Sequence, residues 1–329
     1  MNALLQQVRR TILRHALAPP GSRLLVGLSG GSDSVALLFL LRDLAQNCGF
    51  GIVGLGHLNH GLRRSAGRDE TFCRDLADRL GIRILVENAD VQGYAGRQNL
   101  SVEDAARRSR YEFLDRAADV LGADRIAVGH TQDDQAETFL MKLMRGAGLT
   151  GLAGIYPQRD RVVRPLLDVS RAELRRELEN RGERWIEDET NDDLANPRNR
   201  IRHEVLPQLD RAAGGPTRPA IARAAGLIRE DGRWLDEMAE QRYRALAESH
   251  PDGIALEALT AAAEPPAIRR RLLMKALRAG SGTHEIGLDH VEAAMAVLAG
   301  TCRGADIPGG RVELRRGKLV LVQQKPATK

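Results

Sequence analysis

Four short apolar runs, Arg23 to Leu28, Gly51 to Leu58, Ile82 to Glu87 and Arg125 to Gly129, have the β-branched, mostly uncharged character of buried strands. Helical patterns over Ser34 to Gln46, Gly67 to Leu80 and Val102 to Leu121 separate them. This alternation leaves few solutions. Each helical crossover returns the chain to the same end of the sheet, so the strands run parallel and helices cover both faces. The expected class is α/β. In such sheets ligands gather beyond the carboxyl ends of the strands. The residues least suited to a core fall there: SGGSDS after the first run, HLNHGLR at the end of the second and GHTQDDQAET at the end of the fourth.

A chain of 329 residues is long enough for two domains. The stretch DRAAGGPTRP, Asp210 to Pro219, carries the strongest turn punctuation and is the linker candidate, which gives expected domains of 1–212 and 213–329. Beyond it helical patterns cover Ala220 to Glu248, Pro266 to Ala279 and Leu288 to Ala299, and a terminal strand pair covers Arg311 to Leu314 and Leu319 to Gln323. The expectation is a parallel-sheet domain followed by a mostly helical one. No apolar run reaches the roughly 18 to 20 residues of a membrane span, and the amphipathic N-terminus lacks the apolar centre of a secretory signal. Cys48, Cys73 and Cys302 are scattered, which fits a reducing cytoplasm. The net charge of +5 sits mainly after residue 212, where 18 basic residues face 14 acidic ones. An acidic macromolecular partner is compatible with that balance.

A glycine turn between strand and helix makes an anion site: the glycines let a ligand approach the backbone, and the helix N-terminus adds partial positive charge. Phosphate suits it. The loop is neither G-x-x-x-x-G-K-[ST] nor G-x-G-x-x-G, since no lysine is near and Asp33 stands in its place. An acid beside phosphates makes sense when Mg²⁺ bridges them, with Asp33 as the metal ligand. For an isolated Gly-Gly, a plain capped turn is the commoner explanation.

S-G-G-x-D-S after a first strand resembles the signature of the PP-loop ATP pyrophosphatases, matched at Ser29, Gly30, Gly31, Asp33 and Ser34, with Ser32 at the variable position. The resemblance implies a Rossmann-like, adenine nucleotide alpha hydrolase-like domain that binds ATP. Within that family HLNHGLR, EDAARRSRYEF, DDQAETFLMKLMRGAGLTGLAGI, RPLL and DETND…RNRIRHEVLPQL are similar, in order, to the tRNA(Ile)-lysidine synthetases, of the short form. The implied reaction joins free L-lysine to C2 of the first anticodon cytidine of a tRNA(Ile) with a CAU anticodon, through an adenylated intermediate. One departure stands out: where the family usually has His-His, this chain has His130-Thr131.

Asp134 and Glu137 lie three apart at a helix start, so they share a face. Spacing alone is equally compatible with a capping box from Thr131 and with an acid pair that holds an ammonium; the resemblance implies lysine binding. Asp133 then orients the nucleophile or binds metal. Glu103, Arg107, Arg110 and Tyr111 follow helical spacing, and the resemblance favours a catalytic role for the two arginines over an intrahelical Glu–Arg pair. The backbone near His57 and Asn59, at a strand end, suits adenine or ribose; two histidines without cysteine make a poor zinc set. Arg198, Arg200 and Arg202, and Arg269, Arg270 and Arg271, are candidate tRNA phosphate contacts, although a solvated basic face is the ordinary reading. Gly146, Gly148, Gly151 and Gly154 read as a mobile loop. A sulfur-transferring PP-loop enzyme would want cysteines this chain lacks, and a non-catalytic RNA-binding protein would not need Asp33. Aromatics at 3% leave little for base stacking, so charge and shape must hold the RNA. The sequence leaves a homodimer open.

Overall fold

The computed structural model describes residues 2–61, 66–187, 193–281 and 285–323. It divides into two compact units, Met1–Leu227 and Ile228–Lys329. The first begins with α1 (Ala3–Arg14), β1 (Arg23–Gly27), α2 (Ser32–Cys48), β2 (Gly51–Asn59), α3 (Ala66–Leu80), β3 (Ile84–Asn88), α4 (Val91–Gln98), α5 (Val102–Leu121) and β4 (Arg125–Ala127). There follow α6 (Gln132–Met144), α7 (Leu149–Leu152), β5 (Gln158–Arg159), β6 (Val162–Val163), α8 (Arg171–Arg181), α9 (Pro197–Arg200), a π-helical turn (Ile201–Val205), α10 (Leu206–Ala213) and α11 (Arg218–Leu246).

The strands form one sheet in the order β3-β2-β1-β4-β6-β5, parallel except for the short β5–β6 pair. Period two is visible in β1: Leu24 and Val26 join the core under α1, α2, α3 and α8, while Leu25 faces Phe113, Leu114 and Ala117 of α5. Helix α2 is apolar on nearly every side, and Val35 through Leu41, with Leu44, are buried. Such a helix belongs inside a core, where each fully buried leucine contributes about 1.5–3 kcal/mol. The chain builds β2 and β3 on one side of β1, then crosses to place β4 on the other. Strand order therefore reverses at β1, and the crevice opens at its carboxyl end.

The segment DRAAGGPTRP forms the turn between α10 and α11; the division between the units falls later, within α11. The helix expected to stop near Pro207 instead runs through it. Proline lacks the N–H for the bond to residue i−4 and its ring presses on that carbonyl, and the wider π turn immediately before Pro207 accommodates both.

The second unit holds β7 (Ala247–His250), β8 (Gly253–Glu257), α12 (Ala258–Ala263), α13 (Pro266–Gly280), α14 (Leu288–Leu298), β9 (Gly304–Ile307), β10 (Gly310–Arg315) and β11 (Lys318–Gln323). The strands pair antiparallel in the order β7-β8-β11-β10-β9, with Leu256, Val312 and Leu319 packed on Leu272, Leu273 and Val291 of the helices. The expected terminal pair is thus the middle of a five-stranded sheet. Ala-Glu-Ser-His of β7 carries no apolar alternation, and Gly-Ala-Asp-Ile of β9 only the short one of Ala305 and Ile307, so both lean on pairing with β8 and β10 for their extension. Among the described residues no helix is long and apolar enough to cross a membrane.

Candidate active site

The loop after β1 turns on Gly30, whose φ of +87° is costly for any residue with a Cβ. Its hydroxyls brace it: Ser34 Oγ donates to the Gly31 carbonyl at 3.0 Å, accepts from the Ser29 N–H at 3.1 Å and meets Ser29 Oγ at 3.1 Å. The Ile186 N–H donates to the Gly30 carbonyl at 2.9 Å, tying the Trp185–Ile186 segment to the loop. Gly31 caps α2 without a side-chain hydrogen bond, so the first-turn N–H groups keep the anion affinity of a bare helix N-terminus. Across the crevice Gly129 comes close: a Cβ there would stand 3.0 Å from the Asp33 carbonyl carbon and oxygen and 3.1 Å from the Ser34 nitrogen.

Loop and strand ends enclose a cavity of about 390 Å³, lined among others by Ser29, Asp33, His57, Arg110, His130 and Asp134. That volume is in the range of small-molecule sites. His57 Nδ1 pairs with the Leu28 carbonyl at 2.9 Å, and Nε2 is buried without a partner. Burial pushes the imidazole down, so the neutral ring donates from Nδ1 and presents Nε2 as an acceptor. Asn59, also on the wall, donates to Glu70 and accepts from the Gly61 N–H. Arg110 reaches the cavity and meets His60 Nε2 at 3.3 Å, and its pKa is lowered, chiefly by burial. Arg107 is exposed, 6.0 Å from the Tyr111 ring, and lies outside the cavity lining.

The acid side is an ion network centred on Arg171. The Arg171 Nε donates to Asp33 Oδ2 at 3.0 Å, Nη2 to Asp134 Oδ1 at 3.2 Å, and Nη1 lies 3.9 Å from Glu137 Oε1. Its backbone N–H, in the first turn of α8, donates to Asp133 Oδ2 at 2.8 Å, and Asp133 Oδ1 pairs with Arg218 at 3.1 Å. Glu137 is fully buried: Arg202 grips both its oxygens at 2.6 and 3.1 Å, and Arg198 stands 3.4 Å away. Burial raises the Glu137 carboxyl against the pull of Arg202. Asp33 is also raised, first by burial and then by the charge of Asp134, against Arg171 and Ser32. For Asp134 burial acts upward, but Arg171, His130 and the Thr131 N–H outweigh it and hold the carboxyl below the usual range. His130 accepts from Arg164 Nε at 3.2 Å; burial, with Arg164, Arg110 and Arg198 nearby, pushes it down to about 3 against the pull of Asp134.

Asp134 divides its oxygens: Oδ2 closes the expected capping box with the Thr131 N–H and hydroxyl at 2.8 and 2.9 Å, while Oδ1 takes Arg171. Ser29, Asp33 and Ser34 of the loop share one cavity with His57, Asn59, Arg110, Asp134 and Arg198; Gly30, Gly31, Ser32, Asp133, Glu137, Arg107 and Arg202 do not line it. Arg198 and Arg202 turn inward to Glu137, whereas Arg200 is exposed and donates to the Leu194 carbonyl at 3.4 Å. In the second unit Arg269 donates to the Glu264 carbonyl, Arg270 to Glu292 and Arg271 to Asp236. The glycines after α6 surround the helical turn α7, and Gln135 pins the segment through the Ala153 carbonyl and the Ile155 N–H. Leu62 and Arg63 of HLNHGLR and Asp188 to Asp192 of DETND lie outside the described residues.

Sequence reasoning missed Arg171 and Arg164. Arg171 follows Ser170 in an S-x-x-E capping box, which marks a helix start without showing what the next side chain faces. Arg164 had a better signal, a lone charge between Val-Val and Pro-Leu-Leu, and it is buried with its fork on the Tyr156 carbonyl and His130.

Residues 4–209 match the PP-loop domain family. A tRNA(Ile)-lysidine synthase of Geobacter sulfurreducens is 37% identical over 97% of this chain and 67% of its own length. One from Thermobifida fusca is 37% identical over 95% of this chain and 96% of its own. A solved U34-tRNA thiolase from Methanococcus maripaludis superposes with a TM-score of 0.57 over 69% of this chain and 78% of that one, at 18% identity, which speaks for the fold alone. A glycine-loop crevice on a parallel sheet, the PP-loop match and relatives of this identity agree: the chain belongs to the ATP-using PP-loop family and, within it, to the tRNA(Ile)-lysidine synthases.

Proposed function

We propose that this protein joins L-lysine to C2 of the first anticodon cytidine of a tRNA(Ile) with a CAU anticodon, in two steps, at the crevice between β1 and β4. The observation that carries the reading is one cavity lined by Ser29, Asp33 and Ser34 of a phosphate-type loop and by Asp134, with Glu137 buried one helical turn behind Asp134 among its arginines. ATP lies with its phosphates on Ser29 to Ser34 and the α2 N-terminus, and His57 Nε2 accepts from the adenine amino group or a ribose hydroxyl. Arg110 faces the phosphates and balances charge as the cytidine oxygen attacks and pyrophosphate leaves. The ammonium of lysine is received by Asp134 and Glu137, passes a proton to one carboxylate of that pair and, as free amine, attacks C2; the C2–O bond breaks and AMP leaves with the oxygen.

Mg²⁺ fits the donor set in one way. Among the described residues no group of three or more His, Cys, Asp or Glu could hold a metal, but Mg²⁺ commonly takes one carboxylate together with phosphate oxygens and water. Asp33, beside the loop and raised by burial, is that carboxylate. The ion would supply charge neutralisation of the leaving pyrophosphate. The tRNA is held by arginines, Arg200 and Arg269 to Arg271 among them, and the setting is the cytoplasm.

The test is incorporation of labelled lysine into a tRNA with a CAU anticodon, with and without ATP and Mg²⁺, and with methionine tRNA as control. The expected result is ATP-dependent labelling of the isoleucine tRNA alone. Pyrophosphate release without labelled tRNA would remove lysine as the nucleophile.

A further inference from the structure

The acid pair meant to receive lysine already holds a cation. Arg171 stands 3.2 Å from Asp134 and 3.9 Å from Glu137, in the space a substrate ammonium would use. Its third carboxylate is Asp33, at 3.0 Å on the phosphate side. Arg198 and Arg202 also serve Glu137, but of the three only Arg171 spans from the acid pair to the loop. The backbone of Arg171 is fixed, because its N–H is bonded to Asp133 and Ser170 and Glu173 close a capping box around the helix start. Its side chain has about four rotatable bonds beyond that anchor. A guanidinium so placed can leave its acids while the helix stays where it is.

We propose that Arg171 is a positioning residue that keeps the lysine subsite filled until nucleotide binds. The proposal rests on the lysine reading above. Two cations cannot share Asp134 Oδ1 at contact distance without strong repulsion, so lysine must displace the guanidinium. With Asp33 free, the guanidinium has three carboxylates and little reason to move. With Mg²⁺ and the phosphates bound, Asp33 would serve as metal ligand and no longer hold Arg171, and the guanidinium would find a bidentate alternative in the phosphate oxygens. The subsite then opens. ATP and lysine are thereby coupled through one side chain, and an amine is admitted only when there is nucleotide to activate its target.

The coupling is read as the ratio of lysine dissociation constants without and with Mg²⁺ and α,β-methylene-ATP, an analogue in which the bond to be broken is blocked. For the unmodified protein, calorimetry should show lysine binding at least about tenfold tighter with the analogue, in the usual range for linked sites. Arg171→Gln should bind lysine more tightly than the unmodified protein when nucleotide is absent, and its ratio should fall to within about twofold of one. Arg171→Lys, which keeps a cation without the fork, should restore part of the ratio. A ratio in Arg171→Gln equal to that of the unmodified protein would overturn the proposal while leaving the lysine site intact. No lysine binding in any arm would overturn the lysine reading and this inference with it. Should the glutamine variant lose its fold, the unmodified protein still decides: lysine affinity that does not change when the analogue and Mg²⁺ are added overturns the proposal.

Discussion

The two units use the same residue in opposite ways. Around Glu137 the arginines at 171, 198 and 202 are drawn inward onto a fully buried carboxylate, and one of them, Arg171, also reaches Asp33 and Asp134 on the cavity wall. Arg270 of α13 and Glu292 of α14 are about half exposed at 46% and 47%, and the pair has water as its alternative partner. Burial, more than the number of ion pairs, separates them. A buried pair is weakly stabilising as a whole yet costly to halve, whereas an exposed one is worth about 0–1 kcal/mol either way.

That contrast predicts a descending series. Glu137→Ala should be the most severe, since it strands buried guanidinium groups, and a loss of about 3–5 kcal/mol is expected from chemical denaturation; an unfolding midpoint equal to that of the unmodified protein would place the network outside the stabilising set. Asp33→Ala should reduce ATP-dependent pyrophosphate release by about 10²–10³-fold, the usual loss for a group that meets transition-state charge, while filter binding of tRNA changes little. Gly129→Ala puts a methyl group 3.0 Å from the backbone of Asp33. It should raise the KM for ATP by about tenfold, because the loop must shift by a few tenths of an ångström, and a KM unchanged from the unmodified protein would mean that the crevice is softer than its geometry implies.

Acidity tests the same network more gently. Since His130 is pushed down to about 3, the unfolded chain binds a proton there between that value and the ordinary 6.5, while the folded chain does not. Stability therefore falls as pH drops through this window, by at most about 1.4 kcal/mol per pH unit from this group. Asp33 and Glu137, both raised, act with the opposite sign near the ordinary carboxylate range, and Asp134, held down partly by His130, acts with the same sign, so the difference between the unmodified protein and His130→Gln reports the imidazole together with its pull on Asp134. The smallest effect belongs to Arg270→Ala: stability within about 0.5 kcal/mol, with a tRNA salt slope lower by about one if the residue meets a phosphate.

What could be read in advance follows from the range of the interactions. Strands β1 to β4 and the glycine loop are encoded by neighbours a few residues apart, and their order along the chain restricts the sheet to a handful of topologies. Asp134 and Glu137 were legible as a pair because helical spacing is local. Arg171 was not, since its partners lie 138, 37 and 34 positions away, and nothing in Ser-Arg-Ala-Glu reports on Asp33. The same limit explains the second unit: β10 and β11 announce themselves by their own alternation, whereas β7 and β9 lean on the partners beside them. Of the arginines at 198, 200 and 202, Arg200 is exposed as a basic face would have it, whereas Arg198 and Arg202 turn inward. A run of positive charge reads as surface until a buried carboxylate elsewhere claims it.

The π turn at Ile201–Val205 bears on how such a chain can change over generations. Widening one turn accommodates an extra residue in a helix without lengthening the path around it. Deleting a single residue there would restore the common pitch and leave the helix beyond it close to its present face, because the extra residue is held within the wide turn. Leu206 would keep its buried place, while Pro207 would come to rest against an ordinary ladder. The same deletion in a regular stretch of helix would rotate everything beyond it by about 100°. Length should therefore drift more readily in this turn than along α10, with Pro207 opposing a return to the common pitch.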